Sequence, residues 1–283
     1  MALSDLQLKV ASETAVLGIK KHMAPLSFFA HNFKELEDRP GAAIAVPVYN
    51  LSAAAEYSSE NNWGTTEDIN GVTVTLDKHF IKSVGLDDVT ASEGDINFLK
   101  DGTQAIVDVL GHAVNAYAFG LINATNVPVS AEVSLSSKAA FAQLFATANS
   151  NGVNPYESVL VLDPANFAAL LGTQDALVRG TDDAVKYGIV EGLYGFRGVT
   201  CSSCLSGCNG AIIPYGSFGV AARVNAPAIQ GYTSTFTAVD DNGLAIGFRT
   251  YENLAEGKAI LGGDILFGAK ILQSGIIRLV NAA

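Results

Sequence analysis

An apolar stripe of unusual length runs through the first half of the sequence and restricts the folds open to it. Large apolar and aromatic side chains recur at helical spacing between Gly94 and Asn123, at Leu99, Ile106, Leu110, Val114, Tyr117 and Leu121. Ser92 and Asp95 are typical of a helix start, and Pro128 is typical of a helix end. About thirty residues at a rise of about 1.5 Å each give a helix of roughly 45 Å. The sequence therefore predicts a fold built around one very long helix.

The composition excludes disorder and argues against a membrane span. Charged residues make up 16% of the 283 residues and the mean hydropathy is +0.28, whereas an average soluble domain is about 25% charged. Such a chain has ample apolar surface to bury. A spanning helix needs roughly 20 nearly uncharged residues, but the best candidate, residues 105–122, contains Asp108 and His112. No secretory signal pattern is present, so we expect an intracellular chain whose apolar surface is covered by neighbouring molecules.

Charge is distributed unevenly along the chain. The formal net charge is −11, from 17 basic and 28 acidic residues. Residues 1–40 hold five residues of each sign, so the whole acidic excess lies in residues 41–283. A body of that sign repels phosphate, and we expect no direct reading of nucleic acid.

The neutral first forty residues are predicted to form an arm and not a core element. Their apolar pattern from Leu6 to Ile19 is only weakly amphipathic. Pro25 and the pair Phe28-Phe29 then interrupt it, and a charged patch ends at Pro40.

Two short alternating segments predict a β-ribbon. Apolar side chains alternate with small or polar ones over Ile44–Val48 and over Val72–Leu76, and Pro47 favours an edge position for the first segment. The connection between them, residues 51–71, is longer than most loops in compact domains. It carries Trp63, the only tryptophan, which we interpret as a contact anchor. Because an isolated two-stranded ribbon has no apolar face to bury, we expect this ribbon to lie on a neighbouring molecule.

From Val127 onward the pattern is mixed α/β and ends in strands. Asp163 and Pro164 are typical of a helix N-cap and first turn, and Asp240–Gly243 is a strong hairpin turn. The predicted elements are a helix over 138–148, a strand over 158–162, a helix over 164–172, and strands over 233–239, 244–251, 259–272 and 275–280. These elements suggest one discontinuous domain with a second inserted into it.

Cys201, Cys204 and Cys208 form the cluster that most suggests enzymatic chemistry. A C-x-x-C pair on a turn is half of a zinc site, and three thiolates can hold a metal cluster. A structural zinc site needs a fourth ligand, but the nearest histidine along the sequence is the distant His112. We favour reduced thiols in a surface turn, and we predict no metal, no cofactor and no catalytic residue.

The order of these parts resembles the major capsid proteins of tailed double-stranded DNA bacteriophages, which share the HK97 fold. The resemblance rests on the neutral first segment, the ribbon, the long helix, the inserted region and the returning strands, Asp264–Leu272 and Ile276–Val280. It implies an α+β capsid fold with an N-terminal arm (1–40), an E-loop (41–90), a spine helix of the P-domain (91–126), an A-domain (127–225) and P-domain strands (226–283). Some members crosslink an E-loop lysine to a neighbour, but residues 51–71 contain no lysine, so we expect no crosslink at the tip.

The same resemblance implies a structural function. Such a protein assembles as hexamers and pentamers into an icosahedral head that encloses double-stranded DNA without sequence-specific binding, with separate scaffolding, portal and decoration proteins as partners. It is assembled in the host cytoplasm and is found in the virion. The E-loop residues expected at subunit contacts are Val46, Tyr49, Trp63, Val74 and Lys78. The glycines expected to let the spine helix bend during shell expansion are Gly102, Gly111 and Gly120.

Two other functions stay open at this point. An encapsulin-like compartment has the same fold and encloses protein cargo, so cargo or DNA inside purified shells separates the two functions. An oligomeric metal-dependent enzyme would use Cys201, Cys204 and Cys208. Stoichiometric metal in a complex of a few subunits would favour that enzyme.

Overall fold

The computed structural model describes residues 5–27, 29–33, 43–48, 70–87, 98–135, 137–172, 189–191, 193–224, 234–239, 244–253 and 255–281. Within these residues the chain forms four α-helices: α1 Asp5–Ser27, α2 Phe98–Gly120, α3 Lys138–Ser150 and α4 Pro164–Leu171. It also forms fourteen strands: β1 His31–Asn32, β2 Ala43–Val48, β3 Asn70–Thr75, β4 Lys78–Asp87, β5 Ser130–Val133, β6 Ser158–Leu162, β7 Ile189–Glu191, β8 Gly198–Cys201, β9 Gly210–Pro214, β10 Phe218–Arg223, β11 Ser234–Val239, β12 Ala245–Asn253, β13 Lys258–Ile271 and β14 Ile277–Asn281.

Helix α2 is the predicted long helix. The residues of the predicted stripe are buried or half-buried: Leu99, Ile106, Leu110, Val114, Tyr117 and Leu121. The helix ends at Gly120, earlier than predicted, because the side-chain oxygen of Asn123 accepts backbone N–H groups from Thr125 at 3.0 Å and Asn126 at 2.9 Å and forms a turn. Its 23 residues span about 35 Å. The predicted start, residues 91–97, lies outside the described residues.

The first sheet is organised around β13, its longest strand. β4 pairs antiparallel with one edge of β13, and β12 and then β10 pair antiparallel with the other edge. β11 extends the sheet beyond β12, which confirms the predicted hairpin, and β1 pairs parallel with β10. One face of β13 carries Leu261, Ile265 and Phe267, which are fully buried on the side of α2. The other face carries Gly262, Asp264, Leu266 and Gly268.

The second sheet has the strand order β5-β14-β9-β6-β8-β7. All five residues of β6 are buried, because Leu160 and Leu162 pack with α3 and α4 while Val159 and Val161 face the main core. The two helices begin where the sequence predicts, with Ser137 and Asp163 as N-caps. Strand β6 also has its predicted bounds.

The prediction of a non-core arm at the amino terminus is wrong for the described part of that segment. Helix α1 lies beside α2, and its residues Ala11, Ala15 and Ile19 are buried in the main core together with Phe29, which follows the helix. The helix continues through Pro25 and ends at Ser27. The amphipathic pattern of this helix is weak because three of the buried positions, Ala11, Ala15 and Gly18, have small side chains that add little apolar contrast.

Three strands depart from the predicted domain boundaries. β14, expected among the P-domain strands, lies in the second sheet between β5 and β9. β10, expected in the A-domain, and β4, expected in the E-loop, both pair with β13 in the first sheet. Alternation along a strand predicts that the strand exists but not which sheet it joins. Among the described residues, no helix combines the length and the apolar character needed to cross a membrane.

Candidate functional site

The predicted β-ribbon is present. β2 and β3 pair antiparallel, with Ile44 opposite Val74 and Val46 opposite Val72. Pro47 lies in β2, and within the described residues β2 pairs only with β3, which agrees with the predicted edge position. The predicted contact residues Tyr49 and Trp63 lie outside the described residues.

The described part of the ribbon packs on its own chain, both near its base at Val74 and at its other end at Val48. Val48 and Val74 are 2% and 0% exposed and form an apolar cluster with Ala221 of β10 and with Leu272. The prediction that Val74 contacts a neighbouring subunit is therefore wrong, because its side chain is already covered. Val46 is half-buried against the same cluster. Burying a valine side chain stabilises the folded state by about 1.5–3 kcal/mol, so this apolar cluster holds the ribbon on the first sheet.

The turn between β3 and β4 is held by the long helix. The hydroxyl of Tyr117 on α2 donates to the carboxylate of Asp77, with distances of 3.1 and 3.4 Å to its two oxygens. The ammonium of Lys78, which is exposed, lies 3.5 Å from the same carboxylate and 5.3 Å from the centre of the Tyr117 ring. Burial, the charge of Asp77 and this hydrogen bond together raise the pKa of Tyr117 to about 12.

A cavity of about 440 Å³ opens on the face of the first sheet opposite α2. Its floor is formed by Gly262 and its walls by side chains of the flanking strands, including Ile81 and Tyr251. Asp264, which is 5% exposed, lies at its end and is 3.3 Å from both Arg249 and His79. Ile81, opposite Asp264 in the strand pairing, is 70% exposed. The face therefore combines an apolar rim with a buried, ion-paired carboxylate.

Two of the three predicted bend glycines have a packing role. A Cβ atom on Gly102 would lie 3.2 Å from Leu261, and one on Gly111 would lie 2.7 Å from Cβ of His22. Gly120 has no neighbour within 4 Å of a Cβ atom and is the last residue of α2. Bending at these positions stays a prediction.

The three cysteines are free thiols, and the fold brings a histidine to one of them. Sγ of Cys204 lies 3.9 Å from Nδ1 of His112, although the two are far apart in sequence. Burial and then the charge of Asp163 raise the pKa of Cys201. Burial also raises the pKa of Cys208, with a partial offset from Arg278. Among the described residues, no group of three or more metal-binding side chains converges.

Several polar contacts between elements leave no recognisable pattern in the local sequence. The pairs His22–Asp108, Tyr117–Asp77 and Arg249–Asp264 join residues on different elements. No spacing rule relates such residues, so only the fold shows them.

The likeness to solved structures decides the fold. No protein-family model and no curated protein matches the sequence. A virus-like particle from Pyrococcus furiosus is 9% identical, with a TM-score of 0.58 over 96% of this chain and 98% of that chain. The capsid of Ralstonia phage GP4 is 12% identical, with a TM-score of 0.57 over 90% and 87% of the two chains. The chain has the HK97-like capsid fold.

The HK97-like fold confirms the predicted fold class and, at the level of fold, the resemblance to capsid proteins of tailed phages. The capsid of cyanophage P-SCSP1u gives a similar match, with 13% identity and a TM-score of 0.56 over 89% and 86% of the two chains. The likeness extends over nearly all of each chain, so the HK97-like fold describes the whole subunit and not one inserted part.

Proposed function

We propose that the chain is a capsid shell protein that assembles into a closed shell of many identical copies. The observation that carries this proposal is the whole-length likeness, 90% of this chain and 87% of the Ralstonia phage capsid chain, to proteins whose described role is to form a capsid. The low charge content supports it, because a chain with only 16% charged residues has few charged groups to desolvate when its surface is buried between subunits.

At finer detail, the proposed shell is an icosahedral phage head built from hexamers and pentamers around double-stranded DNA. The net charge of −11 supports enclosure without binding, because an acidic chain repels the phosphate groups of DNA. Separate scaffolding, portal and decoration proteins are the proposed partners. The proposed locations are the host cytoplasm during assembly and the virion afterwards.

The ribbon is the proposed subunit-contact element. Its described strands pack on the first sheet around Val74, so we assign the contact to a neighbour to Tyr49 and Trp63, to the exposed Lys78 and to the half-buried Val46. Edge strand β2 adds backbone groups that can pair with a second chain.

The two alternatives have less support. A compartment for protein cargo is not favoured, because the similar structures include the capsids of cyanophage P-SCSP1u and Ralstonia phage GP4. The enzyme alternative relies on Cys201, Cys204 and Cys208, and within the described part of the chain these thiols do not form a group of three metal-binding side chains. Capsid-like structures indicate a structural role.

Electron microscopy of the purified chain, combined with analysis of the particle contents, tests the proposal. We expect closed shells of uniform diameter. Particles purified from infected or producing cells should contain DNA that is protected from added nuclease. Shells filled with a single protein cargo would support the compartment instead, and the absence of shells under every assembly condition would contradict both.

A further inference from the structure

We propose that two contacts at the base of the ribbon, one from each face of the first sheet, set the angle at which the ribbon lies on that sheet. Through that angle they set the geometry of the shell. We name the two contacts the ribbon anchor: the hydrogen bond from Tyr117 to Asp77, and the close passage of Thr75 and Leu76 over Gly268. This inference rests on the proposed shell function.

The chain changes sheets within two residues at the anchor. β3 ends at Thr75 in the two-stranded ribbon, and β4 begins at Lys78, which pairs with Phe267 of β13. Leu76 and Asp77 form the link. On the β3 side, these two residues are the whole connection between the ribbon and the first sheet.

Gly268 holds the link from the face opposite α2. A Cβ atom at position 268 would overlap the carbonyl oxygen of Thr75 and lie 3.2 Å from Cα of Leu76. Both obstacles are backbone atoms, so no change of rotamer relieves the overlap. Only glycine lets the crossing backbone lie directly on β13 at this point. Ala221, which pairs with Gly268 in the strand register, is 0% exposed beneath the ribbon.

Tyr117 holds the link from the α2 side. Its ring contacts Phe80 of β4 at 6.4 Å and Phe267 of β13 at 6.2 Å between ring centres, both edge-on, so the ring is fixed by its packing. Its hydroxyl then positions the carboxylate of Asp77, and the ammonium of Lys78 lies beside both groups. The two contacts therefore hold neighbouring residues of the link, Leu76 and Asp77, one from each face of the sheet.

A small change at the anchor becomes a large displacement at the far end of the ribbon. The six residues of β3 extend roughly 20 Å, so a rotation of the ribbon by about 10° on the apolar cluster beneath it moves the end at Asn70, opposite Val48, by roughly 3 Å. Shell contacts repeat at every subunit, so such a displacement changes the curvature of the whole shell or prevents closure. Tyr117, Asp77 and Gly268 are therefore positioning residues for assembly.

Variants at the two contacts, each with a matched control, test the inference. Gly268→Ala introduces the overlap, and its control is Gly262→Ala on the same face of β13, where the nearest atom to a Cβ lies at an ordinary 3.9 Å. Tyr117→Phe removes only the hydroxyl, and Asp77→Asn is its control because an amide oxygen still accepts the hydrogen bond.

Two measurements on each variant separate the outcomes. Hydrogen exchange over residues 70–76 should rise about fivefold in Tyr117→Phe, the effect of one lost hydrogen bond, while exchange in α2 stays unchanged. Electron microscopy should show shells of altered diameter or open shells for Tyr117→Phe and Gly268→Ala, and normal shells for both controls. If Gly268→Ala fails to fold, the hydrogen exchange and the shells of Tyr117→Phe alone test the inference.

Normal shells from Tyr117→Phe, with or without faster exchange, would overturn the anchor. Altered shells from the controls as well would overturn it too, because the effect would then not depend on the two contacts. Failure of the unmodified chain to form shells would instead contradict the proposed function, so the two failures are distinguishable.

Discussion

His22 of α1 packs so closely on Gly111 of α2 that a Cβ atom on Gly111 would lie 2.7 Å from Cβ of His22. One turn earlier on both helices the roles are reversed, since a Cβ atom on Gly18 would lie 2.8 Å from a methyl group of Val107. Positions 18 and 22 meet positions 107 and 111 in the same order, so the two helices run parallel. On each helix, therefore, a glycine leaves room for a side chain of the other helix.

Polar contacts surround this close approach. Nε2 of His22 lies 2.6 Å from Oδ1 of Asp108, which also accepts the amide of Gln104 at 2.8 Å. The amide of Asn115 donates to the carbonyl oxygen of His22 at 2.6 Å. Helix α1 is therefore held against α2 both by packing and by hydrogen bonds.

Gly111→Ala should destabilise the subunit. Alanine has a higher helix propensity than glycine by about 1 kcal/mol, but the added methyl group must push the two helices apart, and overpacking costs about 1–3 kcal/mol. We expect the unassembled chain to unfold at a lower temperature. Gly120→Ala is the matched control, because a Cβ atom there meets nothing within 4 Å. Equal or higher stability of Gly111→Ala in thermal unfolding would show that stability does not require glycine at the contact with His22.

Asp264→Ala should destabilise the subunit by about 2–3 kcal/mol, because it leaves Arg249 and His79 without the buried carboxylate that both approach at 3.3 Å. Lys258→Ala removes a more exposed ion pair, in which Nζ lies 3.5 Å from Glu256, and should cost no more than about 0.5 kcal/mol. Denaturant unfolding of both variants measures the difference. Similar losses in the two variants would contradict the assigned importance of Asp264.

The three thiols should differ in reactivity. Burial raises the pKa of Cys201 and Cys208, and a raised pKa lowers the thiolate fraction at any pH below it, so alkylation of both should be slow near pH 7 and accelerate as the pH rises. Cys204, beside His112, should be modified first. Iodoacetamide labelling of the folded chain across a pH series, followed by peptide mass spectrometry, gives the order. Preferential labelling of Cys201 or Cys208 at pH 7 would contradict it.

Trp63→Ala should impair assembly without affecting the fold, because we place Trp63 at a contact with a neighbouring subunit. The unassembled variant should unfold at the same temperature as the unmodified chain, whereas its yield of shells should fall. Val74→Ala provides the contrast, because Val74 is buried within its own subunit and its truncation should lower the unfolding temperature. Normal shell yield from Trp63→Ala would remove Trp63 from the proposed contact.

Local patterns were sufficient to predict most elements of the fold. The stripe of α2, the caps Ser137 and Asp163, and the alternation within β2 and within β3 each depend on residues a few positions apart, and their physics acts over that distance. The weak pattern of α1 was misread because helix packing through Ala15 and Gly18 leaves little hydrophobic contrast.

The contacts that organise the site could not be predicted in this way. Gly268 and Thr75 meet only because β3, β4 and β13 fold together, and the same holds for Asp264 and His79. Gly111 of α2 is an example, because the residue that packs against it, His22, lies on another helix. Strand assignment to sheets, as for β14, likewise depends on partners distant in sequence.

Sedimentation velocity of the purified chain tests the central claim most directly. A chain of 29.4 kDa that forms a capsid shell should sediment mainly as one narrow boundary of megadalton particles, far above the monomer. A monomer or a complex of only a few subunits, at concentrations and salt conditions that favour assembly, would contradict the account.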